Sequence, residues 1–331
     1  GKNGSGKTNL LEAISLFSKD RGIKKDKLLN IIKKQENKFS IKSDFYNKNI
    51  IYNLVSETYE ISNNIKKKLT VNNDATKESL ETLYKITPFL FFLPETERLF
   101  LSSPSNRRNF IDQLIFTNNT NYNKLINLYN KNVIERSKLL ADNYYDENWL
   151  LRIENNISAF GFEIYLLREM QLKIIVNFLN LFLKKLNINF EIHTKLSDKY
   201  FNKDFNTENF MLELKKNRGL DKIVGGSKIG PHKSDYLFFV NNNFLVSQLS
   251  TGQQKTIILL IYFSQCKYLV ENFDKKPILL LDEVCSHLDE TNREILLSLI
   301  ESFDLQIFMT GTTENLFSFL STNTNFCNIT I

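Results

Sequence analysis

The chain has 331 residues, a length that accommodates two domains or one large domain with an insertion. Its 43 basic and 37 acidic residues leave a net charge of +6, which permits a polyanionic partner without requiring one. The longest apolar runs, at 89–93 and 257–263, are too short to cross a bilayer, so the sequence excludes a membrane-spanning segment.

Cysteine and histidine lack the spacing of a metal site. The three cysteines are odd in number, which argues against structural disulfides and favours a reducing cytoplasm. The histidines are scattered along the chain, so we expect no metal site built from these side chains. The residues concerned are Cys266, Cys285 and Cys327, and His193, His232 and His287.

The first third of the sequence begins with a glycine-rich loop, followed by a helical pattern from Thr8 to about Ser18. A polar region rich in lysine and asparagine follows over 19–85. Alternation at 50–55 and 58–61 predicts two short strands of a peripheral antiparallel sheet. Residues 87–93 are typical of a buried strand that Pro94 ends.

We expect the middle of the chain to be helical from about Pro104 to Lys185, because apolar residues recur three and four apart in segments such as 123–140 and 161–186. The polar segment 197–209 predicts a loop. In the last third we expect a hairpin with an asparagine-rich turn over 236–249 and a helix over 251–273. The all-apolar run 278–281 is typical of a buried parallel strand; a helix over 291–303 and a strand over 306–310 follow it.

This order of elements predicts an α/β fold in which the first and last thirds are halves of one domain, interrupted by a helical insertion. The expected head combines a mixed or parallel sheet, flanked by helices, with a peripheral antiparallel sheet. We expect the head to comprise 1–103 and 211–331, and a helical arm to comprise 104–210.

The first eight residues satisfy the phosphate-loop pattern G-x-x-x-x-G-K-[ST]. Glycines let backbone N–H groups surround phosphate oxygens, and the following helix points its positive end at them. Lys7 would reach the β- and γ-phosphates of ATP, and the Thr8 hydroxyl would ligate Mg²⁺. A chance glycine turn is the alternative. The candidate nucleotide-binding residues here are Gly1, Lys2, Asn3, Gly4, Ser5, Gly6, Lys7, Thr8 and Asn9.

A carboxylate pair, Asp282-Glu283, follows the apolar run 278–281. That strand would deliver both carboxylates to the C-terminal edge of a parallel sheet, where ligands of such sheets gather. Asp282 would hold Mg²⁺, and Glu283 would polarise the attacking water as general base, so that Glu283 and Lys7 are the candidate catalytic residues. Taken alone, the pattern also suits an ordinary strand end.

The segment Leu249–Lys255 reads L-S-T-G-Q-Q-K and resembles the ABC signature L-S-G-G-Q, with Thr251 in place of the first glycine. A plain helix cap by Ser250 or Thr251 is the alternative. In ABC ATPases the signature completes the γ-phosphate site of a second subunit. The resemblance therefore implies an ATP-dependent homodimer, with Ser250, Gly252 and Gln253 at the nucleotide, and Ser286-His287-Leu288-Asp289 matches the dimer-contacting loop of that family.

The interval between Thr8 and Ser250 is longer than in transporter ATPase subunits, and no sustained heptad repeat of the SMC kind fills it. Residues 3–14 resemble the RecF form of the phosphate loop. Segment 104–112 is similar to the RecF element P-x-x-R-R-x-F-[IL]-D, and 230–235 to its G-P-H-R-D-D turn, with departures at 233 and 234. The chain thus resembles the RecF family over nearly its whole length.

The RecF resemblance implies slow, DNA-linked ATP hydrolysis and dimerisation on gapped or single-strand/double-strand junction DNA, in recombinational repair and replication restart. It also implies RecR and RecO as partners in loading RecA. Arg107 and Arg108 are candidate DNA contacts, because they can neutralise phosphates without reading bases; an intramolecular ion pair is an equally open alternative. An SMC-like chromosome or repair ATPase and a transporter energising subunit are the other functions that the motifs allow.

Some expected parts are missing. No glutamine follows the segment 92–95, where ABC proteins often place one, and Thr310-Gly311-Thr312 stands where a switch histidine is usual. Thr310 or Thr312 is a candidate for γ-phosphate contact. The chain also begins at Gly1 without a methionine, a signal peptide or a strand before the loop, which suggests a fragment and leads us to expect weak ATPase activity.

Overall fold

The computed structural model describes residues 6–19, 22–23, 27–61, 64–142, 144–201, 205–286, 288–320, 324–327 and 329. It divides into two compact units. The first unit comprises Gly1–Thr96 and Leu269–Ile331, and the second comprises Glu97–Tyr268. Compactness alone does not define a functional domain, so the predicted boundaries at 103/104 and 210/211 stay a prediction.

Helices and strands are numbered in chain order. The strands are β1 (Ser40–Asn47), β2 (Ile50–Ile61), β3 (Asn64–Val71), β4 (Phe89–Phe92), β5 (Ile192–Ser197), β6 (Asp235–Val240), β7 (Phe244–Leu245), β8 (Ile278–Leu281) and β9 (Ile307–Met309). The α-helices are α1 (Lys7–Ser15), α2 (Leu28–Ile31), α3 (Lys77–Ile86), α4 (Pro104–Asn118), α5 (Tyr122–Ala141), α6 (Glu147–Lys185), α7 (Thr207–Lys216), α8 (Arg218–Val224), α9 (Thr251–Phe273) and α10 (Glu290–Glu301). No helix in the described ranges has the length and apolar character needed to span a membrane.

A parallel sheet in the first unit joins the two ends of the chain. Its strand order is β4-β8-β9, with Phe89 opposite Ile278 and Leu281 opposite both Phe92 and Met309. All four residues of β8 are buried, as expected for a central parallel strand covered on both faces. The predicted pairing of the first and last thirds within one α/β fold is therefore confirmed.

A separate antiparallel sheet in the first unit has the order β1-β2-β3. The predicted break between strands at 50–55 and 58–61 is wrong, because β2 runs unbroken for 12 residues. Leu54, Ser56 and Thr58 are all buried, so the small Ser56 continues the inward face of the strand although it is polar. Leu83 of α3 packs into the apolar cluster beneath this sheet.

The second unit is built around α6, which has 39 residues from Glu147 to Lys185 and lies within the region predicted to be helical. The predicted loop over 197–209 is wrong at both ends, because Ser197 ends β5 and Thr207 begins α7. Strand β5 pairs antiparallel with β6, and β6 pairs with β7. The predicted hairpin is present, but its second strand ends at Leu245 and not at the predicted Leu249.

Asparagines form the hairpin turn as predicted: Asn241 and Asn242 have φ values of 49° and 58°. Asparagine tolerates this left-handed region better than most side chains. The remaining predicted helices and strands of the last third are also present. Helix α9 and strand β8 have the predicted bounds, and α10 and β9 differ from theirs by one or two residues.

Candidate nucleotide site and signature helix

The end of the phosphate loop leads directly into α1. Gly6 precedes the helix with φ 83° and ψ 12°, a left-handed conformation that glycine adopts without steric cost. Lys7 is only 9% exposed, Thr8 is half-buried and Asn9 is exposed. The other predicted loop residues, Gly1, Lys2, Asn3, Gly4 and Ser5, lie outside the described residues.

Thr8 and Asp282 bring the phosphate loop and the carboxylate pair together. The Thr8 hydroxyl donates to Asp282 Oδ2 at 3.0 Å and approaches Oδ1 at 3.2 Å. The Asp282 backbone N–H donates to the Phe92 carbonyl at 2.9 Å, so the carboxylate stands directly beyond the paired part of β8. The two predicted metal-ligating residues thus lie within hydrogen-bond distance of each other in the first unit.

A third residue, Thr310, joins this pair. Its hydroxyl donates to Asp282 Oδ1 at 2.5 Å and accepts from the Glu283 backbone N–H at 3.0 Å. The sequence marked Thr310 only as a candidate phosphate contact, since nothing in a linear sequence shows that two parallel strands end side by side. The sequence feature that could have indicated this role is the polar residue directly after β9.

Glu283 has an unusual backbone conformation, with φ 50°. The left-handed region costs a residue with a β-carbon about 1–2 kcal/mol. Such a conformation persists only where surrounding interactions fix it, and the hydrogen bond to Thr310 is one of them. The side chain is half-buried. Strain of this kind at the residue predicted to be the general base is consistent with a functional site.

The donor set around Asp282 fits Mg²⁺. Asp282 is 4% exposed, and its carboxylate accepts hydrogen bonds from two hydroxyl groups. A buried carboxylate requires compensating charge, and Mg²⁺ prefers oxygen ligands, of which the protein supplies one or two and the phosphates others. Thr8 and Asp282 are therefore suited to hold the ion.

The signature segment lies in the second unit and forms the N-terminus of α9. Gln253 N–H donates to Ser250 Oγ at 3.3 Å, while Ser250 N–H donates to Gln253 Oε1 at 3.1 Å. This reciprocal pair is a capping box, so the helix-cap alternative is present in the structure. Ser250, Thr251 and Gln253 are nevertheless exposed, and Gly252 is half-buried. The cap leaves the helix tip accessible to a second molecule.

The next turns of α9 fix the tip in place. Gln254 is buried and donates through Nε2 to the Leu249 carbonyl at 2.8 Å. Lys255 is 2% exposed and forms an ion pair with Glu97. Farther along, Gln265 donates to Thr117 Oγ1 of α4 at 2.6 Å. The exposed residues at the tip thus stand on a helix held by buried polar contacts within its own unit.

The loop after the carboxylate pair is tightly turned, since Ser286 N–H donates to the Glu283 carbonyl at 3.0 Å. Asp289 caps α10 by accepting from the Asn292 N–H at 2.8 Å. Leu288 is buried. His287 lies outside the described residues, so the predicted dimer-contacting loop is only partly described.

Comparison with known proteins supplies the family. The family model described as RecF/RecN/SMC N terminal domain matches residues 1–328. The DNA replication and repair protein RecF of Rickettsia typhi is 32% identical over 319 residues, covering 94% of this chain and 86% of that protein. RecF of Rickettsia canadensis is 34% identical over 322 residues, with the same coverage. The chain belongs to the RecF family.

Solved structures of related proteins have the same fold as this chain. A structure described as the recombination mediator protein RecF-ATPrS in the RecFOR pathway superposes with a TM-score of 0.81 at 26% identity, covering 95% of this chain and 86% of the other. An Smc head bound to the C-winged helix domain of ScpA has a TM-score of 0.53 at 16% identity, which shows the fold alone. The predicted fold class, an ABC-type ATPase head of the RecF and SMC kind, is confirmed.

Two RecF-like elements of the sequence meet inside the second unit. Arg107 contacts Asp235 through two hydrogen bonds of 2.8 Å, and Arg108 donates to the Ser234 carbonyl at 2.5 Å. Burial raises the pKa of Asp235, but the hydrogen bond and charge of Arg107, the Tyr236 N–H and the charge of Arg108 together outweigh it, so the pKa lies below the usual value. Arg107 therefore takes the intramolecular ion-pair role that the sequence had left open beside DNA contact.

A second arginine, Arg168, connects the same two segments. Arg168 of α6 contacts both carboxylate oxygens of Asp112 at 2.8 Å and donates to the Pro231 carbonyl at 2.7 Å. His232 accepts from the Tyr129 hydroxyl at Nδ1, 2.6 Å away, and its Nε2 lies 2.9 Å from the Ser227 carbonyl. The segments 104–112 and 230–235 thus form one polar joint between α4, α5, α6 and the start of β6.

Proposed function

We propose that the protein binds Mg²⁺-ATP at the first unit and hydrolyses it. The observation that carries this proposal is the hydrogen bond from the Thr8 hydroxyl to the Asp282 carboxylate. It unites the two motifs that phosphoryl transfer requires, a phosphate-binding loop and a metal-binding aspartate. Solved relatives described as RecF-ATP and RecF-ATPrS support the choice of nucleotide.

Each residue has a definite part in this proposal. The loop Gly1–Lys7 surrounds the phosphates, and Lys7 neutralises their charge. Thr8 and Asp282 hold Mg²⁺, which neutralises charge that develops on the phosphate oxygens. Glu283 accepts the proton of the attacking water as general base. Its backbone N–H donates to Thr310, which supports the backbone from which this side chain extends.

The signature helix acts on a second copy. Ser250, Gly252 and Gln253 contact ATP that the other copy holds, so two ATP molecules are enclosed between two chains. The exposure of Ser250 and Gln253 and the polar contacts that anchor α9 support this role. Binding free energy is then used to close the dimer, and hydrolysis opens it again.

DNA is the substrate on which this dimer acts. We infer ATP-dependent dimerisation on gapped or single-strand/double-strand junction DNA, with slow DNA-linked hydrolysis and cooperation with RecO and RecR in loading RecA. Support comes from the relatives named DNA replication and repair protein RecF and from the neighbour described as a recombination mediator in the RecFOR pathway. The net charge of +6 is compatible with contact to phosphates independent of base sequence.

The test is a mixing experiment with two inactive variants. Lys7→Ala removes phosphate binding and leaves the signature intact, whereas Ser250→Arg blocks the signature and leaves the phosphate loop intact. If the site is shared between copies, a mixture contains heterodimers with one complete site, and we expect ATP hydrolysis to return in part. The measurement is phosphate release on junction DNA for each variant and for the mixture.

The mixing experiment needs a control variant, and two outcomes would contradict a site shared between copies. Ser247→Arg, at a half-buried position ahead of the signature, tests whether a new positive charge near α9 is enough to stop hydrolysis. A mixture as inactive as either variant alone would contradict a shared site. Loss of ATP binding by isolated Ser250→Arg monomers would also contradict it.

A further inference from the structure

We propose that Thr310 is a positioning residue that fixes both carboxylates of the candidate site through one hydroxyl group. This inference rests on the proposed ATPase function and deepens it. It assigns to the position after the last strand a task other than the phosphate contact expected there. Thr310 acts on the metal-binding aspartate and on the general base at once.

The fold dictates where this hydroxyl lies. Thr310 N–H donates to the Leu281 carbonyl at 3.0 Å, which continues the parallel pairing of β9 with β8 by one residue. Because parallel strands end at the same edge, Thr310 comes to lie beside Asp282. The residue is 8% exposed, so water cannot readily replace its contacts.

A hydroxyl is the group that can serve both partners. It donates one hydrogen bond and accepts others. At Thr310 the donor reaches Asp282 Oδ1 at 2.5 Å, and the acceptor takes the Glu283 backbone N–H at 3.0 Å. Asp282 and Glu283 are adjacent in sequence, and Glu283 has a left-handed backbone. Thr310 therefore contacts the side chain of the first residue and the backbone of the second.

The consequence for Asp282 concerns the metal. With Thr8 and Thr310 both donating to it, the carboxylate has one orientation before the ion binds. Partners that orient a metal ligand typically change metal affinity or activity by about 10–100-fold when removed. We therefore expect loss of the Thr310 hydroxyl to weaken binding of the divalent ion.

The consequence for Glu283 concerns the chemical step. The bond from its N–H to Thr310 is a contact that holds the left-handed backbone, from which the carboxylate side chain extends. Without the hydroxyl, the general base is displaced while nucleotide binding by the phosphate loop remains. A fall in kcat with little change in KM for ATP is the expected signature.

The experiment compares Thr310→Val, which keeps the shape and removes the hydroxyl, with Thr310→Ser, which keeps the hydroxyl. Thr313→Val is the matched control, since Thr313 is exposed and its side chain caps no helix. For each protein we would measure kcat and KM for ATP and the midpoint of thermal unfolding. Binding of Mn²⁺ in the presence of a non-hydrolysable ATP analogue would be followed by electron paramagnetic resonance.

For Thr310→Val we expect kcat and Mn²⁺ affinity each to fall by about 10–100-fold, with KM for ATP nearly unchanged. Thr310→Ser should restore most of both, and Thr313→Val should equal the parent. If the valine variant failed to fold, Thr310→Ala would serve as the second hydroxyl-free variant. A folded valine or alanine variant with parental kcat and Mn²⁺ affinity would overturn the proposal, as would a serine variant as impaired as valine.

The two proposals fail in different ways. A parent protein that hydrolyses no ATP would overturn the proposed function, while the Mn²⁺ titration, which needs no turnover, would still decide the role of Thr310. A parent that binds neither Mn²⁺ nor the analogue would overturn both. Normal hydrolysis by the parent and by a folded Thr310→Val variant would overturn the role of Thr310 alone.

Discussion

The hydroxyl of Thr8 donates to the carboxylate of Asp282 at 3.0 Å, although 274 positions separate the two residues in the chain. Thr8 stands on the first turn of α1, and Asp282 directly follows the central strand β8. Each motif is common by itself, whereas their contact is the arrangement that a Mg²⁺-nucleotide site requires. This contact is the structural basis for the functional proposal.

Glu283→Gln tests the general base. Glutamine keeps the size of the side chain and the backbone N–H that donates to Thr310, but it cannot accept the proton of water. We expect hydrolysis to fall by about 10²–10⁴-fold while ATP binding persists, so that the ATP-bound dimer accumulates. The measurements are single-turnover hydrolysis and sedimentation with ATP.

Glu294→Gln provides the matched control, because Glu294 is exposed on α10 in the same unit. It should hydrolyse ATP at the parent rate. If Glu283→Gln also turned over at the parent rate, Glu283 would not be the base. If it hydrolysed slowly yet formed no dimer with ATP, the link between bound ATP and dimer closure would be wrong.

Sequence alone predicted local structure well where a motif lies in consecutive residues. A helix follows the glycine-rich loop as expected, and α9, which begins at the signature segment, and β8, which precedes Asp282, have the predicted bounds. Sequence was insufficient where chemistry depends on residues that only folding brings together. Thr310 is an example, since its role depends on β9 ending beside β8.

Polar residues explain why the sequence did not predict strands β3 and β5. Strand β3 contains three consecutive lysines, and β5 contains His193, Thr194 and Lys195, so neither shows a clear apolar alternation. Both are held by ladder bonds to a neighbouring strand, a contribution that does not depend on side-chain type. Arg107 is a related case: a pair of arginines suggests phosphate contact, but within the fold Arg107 contacts Asp235 and Arg108 donates to the Ser234 carbonyl.

Arg107→Ala tests the ion pair with Asp235. The two side chains are 10% and 18% exposed, so removal of one leaves a mostly buried charge without its partner. We expect the free energy of unfolding to fall by about 3 kcal/mol. Because the two residues form one pair, Asp235→Ala combined with Arg107→Ala should cost less than the sum of the single changes. Denaturant unfolding of the three variants measures this.

DNA binding distinguishes the structural role of Arg107 from a contact role. Arg152→Ala is the control for stability, since Arg152 is exposed on α6, and it should change the unfolding free energy by less than about 0.5 kcal/mol. For folded Arg107→Ala we expect the salt dependence of DNA affinity to equal that of the parent. A decrease of about one in the slope would instead show that Arg107 neutralises a phosphate.

His232 makes stability depend on pH. Burial lowers its pKa from 6.5 to about 4, although the Ser227 carbonyl favours the charged form. The unfolded chain therefore binds the proton more readily than the folded one. The contribution of neutral His232 to the free energy of unfolding is fully present above about pH 6.5 and is lost progressively as the pH falls towards 4. Its upper limit is about 3 kcal/mol.

The measurement is denaturant unfolding between pH 7.5 and about pH 4.5, within the range where this linkage acts. We expect the parent to lose stability over that interval, and His232→Gln to lose distinctly less, because glutamine does not titrate. His193→Gln is the control, because His193 is a half-buried histidine on β5 that lies outside the segments 104–112 and 230–235. Equal pH dependence in the parent and His232→Gln would show that other groups cause it.

Gly230→Ala tests the close packing of the 230–235 turn against α5. Gly230 has φ 127°, and a β-carbon there would lie 2.2 Å from the Tyr129 hydroxyl oxygen. Strain of the backbone costs about 1–3 kcal/mol, and the clash adds to it. We expect strong destabilisation in thermal unfolding, with partial recovery when Tyr129→Phe removes the clashing oxygen.

Gly219→Ala is the control: a β-carbon there meets nothing within 4 Å, and alanine in helix α8 should leave stability unchanged or raise it by up to about 1 kcal/mol. If Gly230→Ala were as stable as the parent, the close packing of this turn against α5 would be wrong.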